Sequence, residues 1–187
     1  MKTEMRISVR RLAAFAAGWL ALAATASATS VVPMSVEELA RGAATVVEAR
    51  AMQNWSQWDE REHLIYTFTR FQVSRALKGQ APQTLVVRQM GGSAGGYSQH
   101  VAGVRHWSAG EEAVLFLRPS VARDGTMAVV GLMQGNFIVQ RSPQGEATVS
   151  NGVPEVSALG AAGTMQTFSG SRMRLSDLER RVGKAQP

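Results

Sequence analysis

Apolar residues along this chain alternate with polar ones mainly at period two, and the longest such run, "HLIYTFTRFQVSRALKG", sets the expected architecture. Its large apolar side chains fall first on even positions, Leu64, Tyr66 and Phe68, and then on odd ones, Phe71, Val73 and Leu77. A strand shows one set to each face, so a change of phase near Thr69 and Arg70 predicts a bulge or a strong bend. "ATVVEARAM", "TLVVRQM", "EEAVLFLR", "TMAVVGLM", "NFIVQR" and "EATVS" read as further short strands, separated by the turn signals "KGQAP", "RDG", "QGN" and "SPQG". Asp124-Gly125 is the expected tight hairpin turn, because glycine accepts a positive φ at little cost.

Helical signals flank this strand-rich stretch. Ser35 followed by Glu38 has the spacing of a capping box, predicting a helix over Val36 to Arg41 that stops at Gly42. Ser176 and Glu179 repeat the spacing at "LSDLERRVG" and predict a short C-terminal helix. Between Asn151 and Arg172 the chain is rich in Gly, Ala and Ser without a period, which reads as a loosely ordered connector. The expected fold is mainly β: a small OB-like barrel, closed or partly open, with a short helix at each end.

The start of the chain obeys a different pattern. "MKTEMRISVRR" is basic, "LAAFAAGWLALAA" is apolar, and Ala26 and Ala28 place small residues before Thr29, the three parts of a secretory signal peptide. The apolar run is shorter than the roughly 20 residues that span a bilayer, so no membrane span is expected after cleavage. Arg10-Arg11 leaves the general and the twin-arginine export routes both open. The expected organisation is therefore a signal peptide over residues 1–28, a β-barrel over 29–150, and a connector with its helix over 151–187. The expected location is periplasmic or extracellular.

This division changes the meaning of the charge. Four of the 20 basic and one of the 14 acidic residues lie within residues 1–28, so half of the formal +6 leaves with the leader. The remaining basic residues are scattered rather than gathered into a stripe, and nucleic acid is not an expected partner. Cysteine is absent, which removes disulfides, thiolate chemistry and a lipid-bearing cysteine from consideration.

Chemistry is advertised most directly by "QMGGSAGGYSQH", where Gly91-Gly92-Ser93-Ala94-Gly95 has the G-x-S-x-G spelling of a hydrolase nucleophile elbow. An elbow needs a helix after the serine, and then an acid followed by a histidine. Here "GGYSQHVAGV" is not helical, and His63, His100 and His106 all precede the best acid, Asp124. The stretch reads as a flexible glycine-rich excursion between strands. No phosphate-binding glycine motif is present, and no cofactor is expected. His100 and His106 with Glu111 and Glu112 offer imidazole and carboxylate ligands for zinc, though not at an H-E-x-x-H spacing.

Aromatic residues in polar segments are the other candidates. Trp55 and Trp58 in "NWSQWDE" and Trp107 in "GVRHWSAGEE" fall where loops are expected, as does Tyr97. They either cover an open end of the barrel or form a partner surface, since each offers a rigid apolar face with a polar tip. The candidate partner-binding set is Trp55, Trp58, Tyr97, His100, His106 and Trp107.

Val73, Lys78 and Gly79 match a strand-borne V-x-x-x-K-G, and Gly110, Glu111, Leu115, Phe116 and Leu117 match a later G-E-x-x-L-F-L. In this order, over about residues 35 to 141, the chain resembles a group of exported bacterial proteins without an assigned activity, and is similar to the netrin-like module of tissue inhibitors of metalloproteinases. The resemblance implies an OB-type barrel with a helix packed on it. Those inhibitors reach the protease metal through an N-terminal cysteine, and this chain has none, so that activity is not implied. The expected function is an exported, non-enzymatic binding module for a protein, peptide or glycan of the cell envelope. The alternative is a hydrolase or metal-dependent enzyme using Ser93 or His100 and His106.

The export reading yields a direct test. Mass spectrometry of protein isolated from its native envelope is expected to find an N-terminus at or near Thr29. Recovery of the intact chain from a membrane fraction would overturn it.

Overall fold

The computed structural model describes residues 33–152, 156–159, 165–168 and 170–185. The leader reading of residues 1–28, with its cleavage site, lies outside them.

Two short helices and twelve strands make up the described residues. Helix α1 (Val36–Gly42) is followed by β1 (Thr45–Asp59), β2 (Leu64–Lys78), β3 (Thr84–Met90), β4 (Gly92–Ala94) and β5 (Tyr97–Gln99). Then come β6 (Glu112–Pro119), β7 (Met127–Val129), β8 (Asn136–Arg141), β9 (Ala147–Ser150), β10 (Val156–Leu159), β11 (Met165–Phe168), β12 (Arg172–Arg174) and helix α2 (Leu175–Lys184).

Five strands form a circuit, β1-β2-β3-β7-β6, which closes because β6 also pairs with β1. Every pairing is antiparallel except β3 with β7. The product is the expected mainly β, partly closed barrel. β7 and β8 both pair with β6 and continue one another, so they act as a single strand interrupted at Val130–Gly135. β9 and β12 extend the sheet beyond β8.

β1 and β6 are covered on both faces, which explains the unbroken apolar run "AVLFL". One face holds Val47, Ala49, Ala113, Leu115 and Leu117 in the barrel interior with Phe71, Leu85 and Val87. The other holds Val46, Val114 and Phe116 beneath Leu39 of α1 and Leu178 of α2. A strand buried on both sides needs no alternation, so its sequence is continuous rather than period two.

The motifs that carried the resemblance are fold-building. Lys78 Nζ donates to the carbonyls of Ala40 and Ala43 at 2.6 and 2.8 Å, satisfying the end of α1. Gly79, at φ +68°, follows directly, and a Cβ there would stand 2.5 Å from the Ala44 carbonyl oxygen. Gly110, at φ +90°, turns the chain into β6, and its N–H donates to Ala51 at 2.7 Å.

Three sequence expectations are corrected. The phase change in β2 does not occur: Ile65, Thr67, Thr69 and Phe71 all point inward and are buried. Thr67 and Thr69 form a polar layer inside the barrel, while Tyr66 and Phe68 lie half-buried on the outer face. The bulge nearest Arg70 lies in the partner strand, where the register skips Met52 between Ala51↔Phe71 and Gln53↔Arg70. The expected capping box at Ser176 is not formed; α2 begins two residues earlier than that cap implies, with Arg174 of β12 as its N-cap and no side-chain cap. Pairing of β12 with β9 fixes where the helix starts, overriding the local signal. Finally, the stretch after residue 150 is not simply a connector: β10 and β11 pair with each other, and α2 belongs to the same core as α1.

Ion pairs hold α2 in place. Arg181 grips Glu37 of α1 with two hydrogen bonds, at 2.7 and 2.6 Å. Glu179, Arg75, Glu48, Arg141, Glu112 and Arg50 form an alternating chain across β2, β1, β8 and β6. The hydrogen bonds from Arg181 lower the Glu37 pKa to about 2, and the one from Arg141 lowers that of Glu112. A carboxylate depressed on folding stabilises the native state above its unfolded value and loses that contribution as the pH falls through the folded one. The melting temperature is expected to fall as the pH drops from 4.5 towards about 2, and Glu37→Gln should flatten that dependence. An unchanged acid limb in the variant would refute the latch.

Candidate functional site

Closure of the barrel ends early along β1. Thr45 to Arg50 pair with β6, and Ala51 adds two further hydrogen bonds to Gly110 and Glu111. Beyond that point β1 pairs with β2 alone, β2 stays paired with β3 as far as Tyr66, and the β1–β2 ribbon runs on to the turn at Glu60–His63. This ribbon has two faces, and each carries a candidate site.

Trp58 and Tyr97 define the first. "NWSQWDE" is strand rather than loop, placing Trp55 and Trp58 at an odd spacing on opposite faces of β1. Trp58 lies on the face of its partner Ile65, where the β4–β5 hairpin packs. Its ring is 6.2 Å from Tyr97 and 6.3 Å from His63, centroid to centroid. Trp58 is 40 % exposed and Tyr97 71 % exposed, so two of the expected surface aromatics meet in the open. His63 holds a left-handed φ of +52°, uncommon for a side chain with a Cβ.

The glycine-rich segment builds this face. Gly95 and Gly96, at φ +59° and +81°, form the two-residue turn of an ordered hairpin, not a flexible excursion. Gly92 lets the hairpin lie against the ribbon: a Cβ there would stand 2.5 Å from Ser56 Oγ and closer still to Thr67 Oγ1. Those hydroxyls bond each other at 2.8 Å, Thr67 donates to the Gly91 carbonyl at 2.7 Å, and Gln99 Oε1 accepts the Ile65 N–H at 2.8 Å. Ser93 points outward and meets Ser98 Oγ at 3.1 Å. The G-x-S-x-G spelling is thus a packing device.

The opposite face carries a pocket of about 220 Å³ between the β1–β2 turn and the β6–β7 loop. Tyr66, Arg88 and Met90 line one side; Val121 and Leu132 stand exposed at its mouth. Arg88 is the hub. Its side chain is only 8 % exposed, its guanidinium lies 3.6 Å over the Tyr66 ring centroid, and Asp59 accepts from it at 3.2 Å. Glu62 and Asp124 stand at 3.8 and 3.9 Å, so one cation ties both loops to β3. Asp59 also accepts the backbone N–H groups of Glu62 and Arg61, which, with Arg88, lower its pKa. Burial, and donation of its hydroxyl to Glu62, raise the pKa of Tyr66.

The remaining candidates separate. Trp107 is a correction: it is 1 % exposed, packs edge-on to Phe71 at 4.9 Å, and donates its indole N–H to Asn136 Oδ1 at 3.0 Å. It fills the barrel interior rather than facing a partner. Trp55 is half-buried, stacked on Phe68 at 5.6 Å beneath Arg70 on the outer face. His100 is exposed, while His106 is half-buried with Nε2 3.1 Å from the Met90 carbonyl oxygen. Glu111 is engaged by Arg105, and Glu112 by Arg141 and Arg50. Among the described residues no three His, Cys, Asp or Glu side chains are grouped to hold a metal. Arg88, Tyr66 and Glu62 escaped the sequence reading, although a lone arginine within the apolar run "TLVVRQM" was a visible signal.

The packing role of the glycines is testable against the elbow spelling. Gly92→Ala is expected to lower the unfolding midpoint substantially, from both the clash and the left-handed φ of +125°. Ser93→Ala should stay within about 0.5 kcal/mol of neutral. Equal midpoints for the two variants, by chemical denaturation, would contradict this account. Compared with known proteins, the sequence matches no family model and no curated protein, so a functional reading rests on the geometry of the chain itself.

Proposed function

We propose that the protein is an exported binding module of the cell envelope, and that its recognition surface is the distal end of the β1–β2 ribbon with the hairpin packed on it. One observation carries this reading: Trp58 and Tyr97, from separate strands, meet at 6.2 Å while both remain exposed. Trp58 leaves 40 % and Tyr97 71 % of its surface in water, and that apolar area is available to a partner. Exposed aromatic pairs of this kind are the usual anchors of recognition surfaces. The scaffold beneath them is rigid, because the hairpin is fixed by Gly91, Thr67 and Gln99 rather than by side-chain entropy at the tip. Pre-ordering lowers the entropic cost of association. The leader pattern of residues 1–28 supports export, and the pocket across the turn offers room for a side-chain-sized group of the same partner.

The double variant Trp58→Ala/Tyr97→Ala is expected to lose at least about 2 kcal/mol of affinity for native envelope fractions, roughly thirtyfold. Its unfolding midpoint should fall by less than the roughly 3 kcal/mol that truncating a fully buried tryptophan costs, since both rings are partly in water. Undiminished binding, or a collapse of the midpoint, would rule the surface out.

A further inference from the structure

The distal half of β1 has an open edge, and the hydrogen bonds of its neighbour show which groups stand on it. Ile65 sends its N–H to Gln99 Oε1 at 2.8 Å, and its carbonyl accepts the Gly91 N–H at 2.7 Å, both on the side away from β1. Ile65 and Trp58 are therefore a non-hydrogen-bonded pair, and the alternation of an antiparallel ladder gives Thr67↔Ser56 and Thr69↔Asn54 the same character. The backbone N–H and C=O groups of Asn54, Ser56 and Trp58 thus point to the side that β6 occupies nearer the start of the strand. Among the described residues none of these groups has a hydrogen-bond partner there. Asn54 reaches the Trp107 carbonyl with its side chain alone. Gln53, Asn54, Gln57 and Trp58 are exposed.

We infer that this edge pairs antiparallel with the same edge of a second copy of the chain, about a two-fold axis through Ser56. Open strand edges are ordinarily guarded by charge, by proline or by a covering element. The other end of the large sheet, β12, carries Arg172 and Arg174 among its three residues. The open stretch of β1 before Asp59, "QNWSQW", has no charge and no proline. A two-fold axis sets the residues beside it against their own copies, so a charge close to it would face its like. A strand from a different protein imposes no such neutrality, because its own charges could answer those of β1. The open edge runs over residues 53–59, and Ser56 is its centre. In that register Asn54 exchanges hydrogen bonds with Trp58 of the second copy, Ser56 meets Ser56, and every open backbone group is used. Trp55 then stands across from Gln57, and Asp59 across from Gln53, so no acid faces its own copy. Glu60 and Arg61 lie past the end of the strand. The axis is normal to the sheet, which leaves the Trp58 and Tyr97 pairs of both copies on one side. The dimer goes beyond the binding-module reading and does not depend on what the aromatic face takes.

Sedimentation of the purified chain over a range of concentrations is expected to show a monomer–dimer equilibrium. Because the chain has no cysteine, a single introduced one reports where the copies meet. Gln57→Cys should be joined into a covalent dimer by a short bismaleimide, since residue 57 and its own copy are diagonal neighbours about 7 to 8 Å apart in this register. Arg172→Cys, on the guarded edge, should not be joined. Gln57→Lys and Gln57→Glu should each weaken the dimer about threefold, and an equal mixture of the two should form the mixed dimer in preference to either alone. Gln57 is exposed, so neither variant should move the melt of the monomer. A single species of monomer mass up to about 1 mM would overturn the inference. So would a dimer trapped through Arg172→Cys and not through Gln57→Cys, or a mixture of the charged variants with no preference for the mixed pair.

Discussion

The structure depends on how far one strand can serve two neighbours. β1 pairs with β6 only from Thr45 to Arg50, while its pairing with β2 runs on to Asp59. Where both neighbours are present, the strand is sealed on each face: barrel interior on one side, helices on the other. Where β6 is gone, backbone pairing continues on one edge alone and the faces open. The polar layer of Thr67, Thr69 and Gln89 marks that change inside the barrel, and the aromatic pair stands further along the same face, beyond the closure. The exposed aromatic face and the stable core therefore occupy the two halves of the same strand.

The outline of the fold was legible in the sequence because its signals are local. Ser35 and Glu38 form their capping box, and the β-branched runs become strands. What escaped was set by partners distant in the chain. Trp107 sits in a polar stretch, and only the approach of Phe71 and Asn136 makes it a core residue. The even set in β2 looked like a core face because Tyr66 and Phe68 are large, yet Arg88 and Trp55 cover them from outside while small threonines face in. Ser176 has the right spacing for a cap, but the sheet had already fixed the helix start at Arg174.

Of the surface, the sequence disclosed the residue types but not the grouping. Trp58 and Tyr97 were legible as exposed aromatics; that they touch, and that Trp55 faces away from both, follows from strand parity and from the path of the hairpin. The segments most suggestive of chemistry proved to be those that build the scaffold. Lys78, Gly79, Gly92 and Gly110 all act by letting backbones approach or by satisfying carbonyls.

The one-sided ribbon has an evolutionary consequence. Because its distal half is tied to the rest of the sheet mainly through β2 and β3, the β1–β2 turn can gain residues without disturbing the barrel. Paired insertions would preserve which side chains face the hairpin and which face Arg88, whereas an odd one would exchange the two faces at the tip. Descendants of this chain can thus vary the reach of the ribbon in steps of two, and invert its two faces in a step of one.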